Sequence, residues 1–190
     1  MTKITHKDRI ILGIDPGTNI MGYGVIHQKE KELKLVTLGI IEMQKIPGHF
    51  NKLKHIYERT IQLIDGYRPD ELAIESPFYG KNVQSMLKLG RAQGAAIAAA
   101  LSRTIPIYEY APKKIKLAIT GNGNASKEQV AAMLQKLLKT EFIIKNLDAT
   151  DGLAAALCHY YQRDLPTGEG KHKSWKDYVN NKNIDYPGKL

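Results

Sequence analysis

Two apolar stretches of this chain each run into a carboxylate. Arg9-Ile10-Ile11-Leu12-Gly13-Ile14 ends on Asp15, and Leu72-Ala73-Ile74 ends on Glu75. Continuous runs of this kind specify strands buried on both faces, the interior strands of an α/β sheet. An unpaired acid at the end of such a strand is costly to bury, and a bound cation removes that cost. Two further acids, Asp148 and Asp151, stand three apart at the start of the apolar, helix-like stretch Leu153 to Tyr161, so both project from one helical face. Each acid alone has a plainer explanation. Asp15 lies in the turn sequence Asp-Pro-Gly-Thr, Glu75 can pair with a lysine, and Asp148 with Asp151 can satisfy a helix N-terminus. None of these accounts for all four. Acids converging from two strands and a helix suggest a divalent-metal site for phosphate chemistry.

The order of elements follows from periodicity and punctuation. Arg9 to Ile14, Gly22 to His27 and Leu33 to Ile41 read as three strands joined by short connections, an antiparallel meander. Leu53, Ile56, Tyr57, Thr60, Ile61 and Ile64 recur at helical spacing, with Gly66 and Pro69 ending the helix. A fourth strand closes on Glu75, a long alanine-rich helix spans about Asn82 to Ser102, and Ile105 to Tyr110 makes a fifth strand. Pro112 opens a helix over about Lys113 to Thr120, Ser126 opens another to Lys139, and a last one begins near Asp148. The expectation is an α/β fold: a five-stranded mixed sheet, meander first and parallel βαβ strands after, flanked by helices.

At 190 residues the chain suits one domain. The expected division is a flexible arm over 1–8, the folded domain over 9–162, and a flexible tail over 163–190 whose composition shifts to Gly, Lys, Asn and Pro around Trp175. The single cysteine, Cys158, reads as a small packed side chain and excludes an internal disulfide framework. No apolar run is long enough to cross a bilayer and the N-terminus lacks a signal-peptide core, so a cytoplasmic location without membrane contact is expected. The formal charge is +9, and it is concentrated. Lys81, Lys88, Arg91, Arg103, Lys113, Lys114, Lys116 and Lys127 stand against the single acid Glu109 in their segment. Such a block is the footprint of a polyanionic partner.

Four stretches, ILGIDPGTNIMGYGVI, LAIESPFYGKNVQSMLKLGRAQGAAIAAA, YEYAPKKIKLAITGNGNASKEQV and DATDGLAAALCHYY, closely resemble the RuvC Holliday-junction resolvases, in order and at family spacing. The resemblance covers roughly residues 9 to 162. It implies an RNase H-like fold, a homodimer, and magnesium-dependent cutting of four-way DNA junctions by paired nicks, in concert with a branch-migration motor complex. The family's catalytic, metal-binding acids match Asp15, Glu75, Asp148 and Asp151 without substitution. Four carboxylates suit two Mg²⁺ ions about 4 Å apart, for which Mn²⁺ can substitute. With no Ser, Cys or Tyr nucleophile beside a base, attack by metal-activated water is the simplest route. Phe78 falls where the family stacks an aromatic on bases near the junction centre; the other reading is a core phenylalanine. Lys116 and Lys127 fall at positions that contact the scissile region, and Lys81, Lys88 and Arg91 are further candidate DNA contacts. The small residues Gly90, Gly94, Ala95, Ala98 and Ala99 permit close approach of a second helix, from the same subunit or a partner. Relatives of the same fold that process ribosomal RNA, an actin- or sugar-kinase-like phosphotransferase, and a catalytically silent junction-binding module are the competing classes.

Overall fold

The computed structural model describes residues 8–30, 32–77, 82–142 and 147–164. Five strands form one sheet: β1 (Arg9–Asp15), β2 (Ile20–Lys29), β3 (Glu32–Glu42), β4 (Glu71–Glu75) and β5 (Ile107–Tyr110). The strand order is β3-β2-β1-β4-β5, with β1 to β3 antiparallel, β4 parallel to β1 and β5 parallel to β4. The expected mixed sheet is therefore present. The fifth strand starts two residues later than its apolar run, because Thr104 takes a left-handed conformation and Pro106 has no N–H to offer the ladder.

Five helices cover the sheet: α1 (His49–Tyr67), α2 (Val83–Ser102), α3 (Pro112–Thr120), α4 (Lys127–Leu138) and α5 (Asp148–Asp164). Alternation along the central strands assigns each face. Leu12, Ile14, Leu72 and Ile74 are fully buried beneath α1 and α2, while Ile11 and Ala73 face the cluster built by α3, α4 and α5. Each such side chain contributes about 1.5–3 kcal/mol when removed from water. Helix ends follow the sequence signals. Pro112 occupies the first turn of α3, Ser126 and Gln129 form a reciprocal capping box on α4, and Asn82 caps α2 through the Ser85 N–H.

Helix α5 runs to Asp164, ending before Pro166. Its far end is pinned. His159, fully buried, places Nδ1 2.6 Å from the Tyr110 hydroxyl and Nε2 2.8 Å from Glu71 Oε2, and stacks on Tyr108. Cys158 is buried in the same cluster, the packed role its neighbours suggested. The α2 stripe divides by helical period. Ala92, Ala96, Ala99 and Ala100 face this subunit's own core, which removes Ala99 from the partner-facing set, and Ala95 packs on that core as well. Gly90 and Gly94 point into open space. No helix among the described residues is long and apolar enough to cross a membrane.

Candidate active site

Asp15 and Glu75 end neighbouring parallel strands. Ile14 pairs with Ile74, so the next residues on the two strands stand side by side and project to the α5 face. Glycine brings the helix to them. A Cβ built on Gly22 would sit 1.8 Å from the carbonyl oxygen of Asp148, one on Gly13 2.1 Å from that of Gly152, and one on Gly24 2.5 Å from Leu153 Cα. Gly152 answers from the helix side, where a Cβ would lie 2.5 Å from Tyr23 Cα. With side chains absent from both surfaces, α5 rests on the backbone of β1 and β2. Asp148 and Asp151 then overhang the ends of β1 and β4.

Electrostatics register this convergence. Asp15 is pushed up to about 7, first by burial and then by Asp151, with Asp148 adding to the effect and Lys127 opposing it. Glu75 is pushed up to about 8 by burial, then by Asp15 and Asp151. Asp151 is raised as well, chiefly by its burial. Lys127, from the first turn of α4, places Nζ 2.8 Å from Asp148 Oδ1 and 2.5 Å from Asp151 Oδ2. Held there, its ammonium is raised above the usual lysine value; the two hydrogen bonds and charges outweigh the desolvation that opposes them.

The donor set is carboxylate oxygen throughout, which suits a hard divalent cation such as Mg²⁺. Among the described residues no three acidic, His or Cys side chains are gathered tightly enough to form a ready ligand cage. Repulsion spreads like charges, and the ammonium of Lys127 occupies the gap between two of them. The residues present therefore fit a metal on condition that Lys127 yields its place.

The other expected contacts are distributed unevenly. Lys116, on α3, is near enough to lower both Glu75 and Asp151, so it flanks the acids. Lys88 and Arg91 lie on α2, where both lower His49. Phe78 and Lys81 lie outside the described residues. Sequence reasoning did not single out Gln93, whose side-chain amide donates to the Glu75 carbonyl at 3.3 Å, nor the glycine contact surface and His159. The signals for these were thin: a Gln on an otherwise alanine face, Gly-Tyr-Gly in β2, and a His among Ala, Leu and Cys in α5.

Comparison with known proteins agrees with this geometry. Residues 11–159 match the family model for crossover junction endodeoxyribonuclease RuvC. The chain is 60% identical over 175 residues to the crossover junction endodeoxyribonuclease RuvC of Bacteroides fragilis, covering 91% of this chain and 93% of the relative. It is 58% identical over 182 residues to the Porphyromonas gingivalis protein of that name, covering 93% and 96%. Among solved structures, Thermus thermophilus RuvC in complex with Holliday junction substrate superposes with a TM-score of 0.75 at 29% identity, covering 82% of this chain and 94% of that one. The five-stranded mixed sheet with its flanking helices is thus the RNase H-like resolvase fold, and the chain belongs to the RuvC family of crossover junction endodeoxyribonucleases.

Proposed function

We propose that this chain resolves four-way DNA junctions as a homodimer, nicking two strands of like polarity at symmetric positions by Mg²⁺-dependent phosphodiester hydrolysis. The observation that carries the reading is the four-carboxylate cluster, with two of its members pushed up to about 7 and about 8 by burial and mutual repulsion. Such a cluster is ill suited to receive a phosphate unless cations intervene. When bound, divalent cations neutralise the phosphoryl oxygens and lower the pKa of water. Asp15, Glu75, Asp148 and Asp151 would hold them.

The chain's own groups do the remaining work. Gln93 holds the backbone at Glu75 and so fixes where that carboxylate starts. Lys127 serves as an internal counterion until metal arrives; released from Asp148 and Asp151, it is a cation of the right reach for a phosphate beside them. Lys116 adds positive potential over the same acids. Cleavage by water leaves a 5′ phosphate and a 3′ hydroxyl, a nick that can be ligated.

The dimer reading rests on α2. Val83, Leu87 and Leu101 are 65%, 51% and 63% exposed and, with Gly90 and Gly94, recur at intervals of three, four and seven along one outward face. Two such faces packed about a two-fold axis set two active sites at fixed separation, which suits the pseudo-symmetry of a four-way junction and not a straight duplex.

The test is cleavage of a synthetic four-way junction and of linear duplex, with and without Mg²⁺, by wild type and by Asp15→Asn, Glu75→Gln, Asp148→Asn and Asp151→Asn. Each substitution is expected to abolish cutting and to keep or tighten junction binding, because it removes negative charge facing phosphate. Near-normal cutting by the Asp15 or Glu75 variant, or equal affinity for junction and duplex at physiological salt, refutes the reading.

A further inference from the structure

A cavity of about 570 Å³ opens between the β1–β2 turn and the N-termini of α1 and α2, lined among others by Thr18, Asn19, His49, Lys52, Ser85 and Lys88. Among the described residues, none of the four acids of the candidate active site lines it, and neither does any other carboxylate. Lys52 donates to Asn19 Oδ1 at 2.7 Å, while Lys88 and Arg91 make no ion pair among the described residues. Nε2 of the half-buried His49 is shut off from solvent and lacks a hydrogen-bond partner among the described residues. Burial first, then Arg91, Lys88 and Lys52, hold this imidazole below its usual value, so three cations face it. Helix α1 adds to it. No side chain caps its N-terminus, no acid stands in its first turn, and its cap, Gly48, has a φ of 77°. The first backbone N–H groups are left to find an acceptor elsewhere. Phe50, next in the chain to His49, is 79% exposed, with its ring centroid 6.1 Å from the imidazole.

We propose that this cavity seats one backbone phosphate of the nucleic-acid strand that continues into the four-acid site, held by Lys52, Lys88 and the open N-terminus of α1. Phe50 offers a stacking face to the adjoining base. The proposal rests on the reading that the acids cut DNA, and adds to it a second, separate hold on the same strand. Chain geometry fixes the register. Asn19 lies four residues beyond Asp15, a reach of at most about 14 Å, and phosphates advance about 3.4 Å along a strand. The seated phosphate is thus within about five of the scissile one. Inorganic phosphate shares the chemistry of the seat but cannot use Phe50, because it carries no base.

The experiment is methylphosphonate interference on a four-way junction. Phosphates within five of the cut are made neutral one at a time, and affinity is measured for wild type, Lys88→Ala, Lys52→Ala and Phe50→Ala, with inorganic phosphate as a competitor. Wild type should lose about tenfold at one position, the order expected for a single charge-assisted contact. Lys88→Ala and Lys52→Ala should bind unmodified junction about tenfold more weakly and lose clearly less than wild type at that position. Their slope of log affinity against log salt should fall by about one. Phe50→Ala should weaken DNA binding without changing competition by inorganic phosphate. Lysine variants that keep wild-type affinity and slope, or that keep the full interference pattern, overturn the seat while junction cutting by the same wild-type protein leaves the catalytic reading intact. A wild type that cuts no junction refutes the catalytic reading, and its interference pattern on single-stranded DNA still tests the seat. Competition by inorganic phosphate with no position-dependent effect on DNA also overturns the proposal.

Discussion

Gly22→Ala should disable this enzyme while leaving it folded. The new Cβ would meet the Asp148 carbonyl oxygen at 1.8 Å and its carbonyl carbon at 2.8 Å, more than about 1 Å inside ordinary contact. Both atoms are backbone, so no side-chain rotation relieves the clash; the first turn of α5 must move off the sheet. Overpacking of this kind costs about 1–3 kcal/mol, and in a protein of this size each kcal/mol lowers Tm by about 2–4 °C. The effect on rate should be larger. Asp148 and Asp151 ride on the displaced turn while Asp15 and Glu75 stay on the strands, and a misplacement of about 1 Å can cost about a hundredfold in rate. Gly66→Ala is the control: it lies within α1, and its Cβ would meet nothing within 4 Å. That variant should gain up to about 1 kcal/mol through helix propensity and cut normally. The assay pairs thermal melting with single-turnover cleavage of a labelled junction across Mg²⁺ concentrations. A Gly22→Ala protein that melts and cuts like wild type would refute the argument that glycine contacts set the position of the acids.

Three other perturbations address the charges and the surface. Asp15 and Glu75 are raised to about 7 and about 8, above the 3.8 and 4.5 of the unfolded chain, so the stability they contribute is full below both ordinary values and is lost as pH rises through the raised ones. Metal-free protein should therefore show a Tm that falls from about pH 4 to about pH 8 and levels off above, with added Mg²⁺ raising Tm most at the alkaline end; the Asp15→Asn, Glu75→Gln double variant should flatten the profile, and an equally steep fall in that variant would disprove the assignment. Lys127→Met removes the ammonium lying between Asp148 and Asp151, so half-saturation should need less Mg²⁺ while the rate at saturating metal drops; an unchanged metal requirement would show that the lysine does not compete for the site. Leu87→Glu places a charge on the outward face of α2, where Leu87 is 51% exposed, and should yield a monomer by sedimentation that binds junction no better than duplex; a stable dimer would move the interface elsewhere.

What the chain disclosed in advance was whatever a few adjacent residues determine. The strands ending on Asp15 and Glu75, the Pro112 start of α3 and the Ser126 start of α4 all depend on neighbours in sequence, and the structure has them where those neighbours put them. Contacts between distant segments were less legible. Gly13, Gly22 and Gly24 look in sequence like weak points of two strands, and only the placement of Gly152, more than a hundred residues further on, makes them a contact surface. The His159, Tyr110 and Glu71 contacts span three elements, and no spacing rule announces them. Lys127 was legible as a cation near the cut strand, but its engagement with Asp148 and Asp151 depends on how α4 docks against α5. On α2 the small residues were visible, yet their division into an inward set with Ala99 and an outward set with Gly90 and Gly94 needed the helix's rotation about its axis.

The acids do not assemble themselves. Asp15, Asp148 and Asp151 each raise another of the four, so their mutual interaction opposes the arrangement, and among the described residues the ammonium of Lys127 forms ion pairs with two of them. What opposes the repulsion is apolar and remote from the charges. Leu153 and Leu157 are fully buried on the inner face of α5, each contributing about 1.5–3 kcal/mol. The His159 contacts hold the helix about 16 Å along its axis from Asp148. Fixed at one end by buried hydrogen bonds and at the other by backbone laid against backbone, α5 has little freedom to slide or lift. The carboxylates are thereby kept close enough to push two pKa values toward neutrality before any metal arrives. Stability stored in the packing thereby offsets the charge proximity at the site.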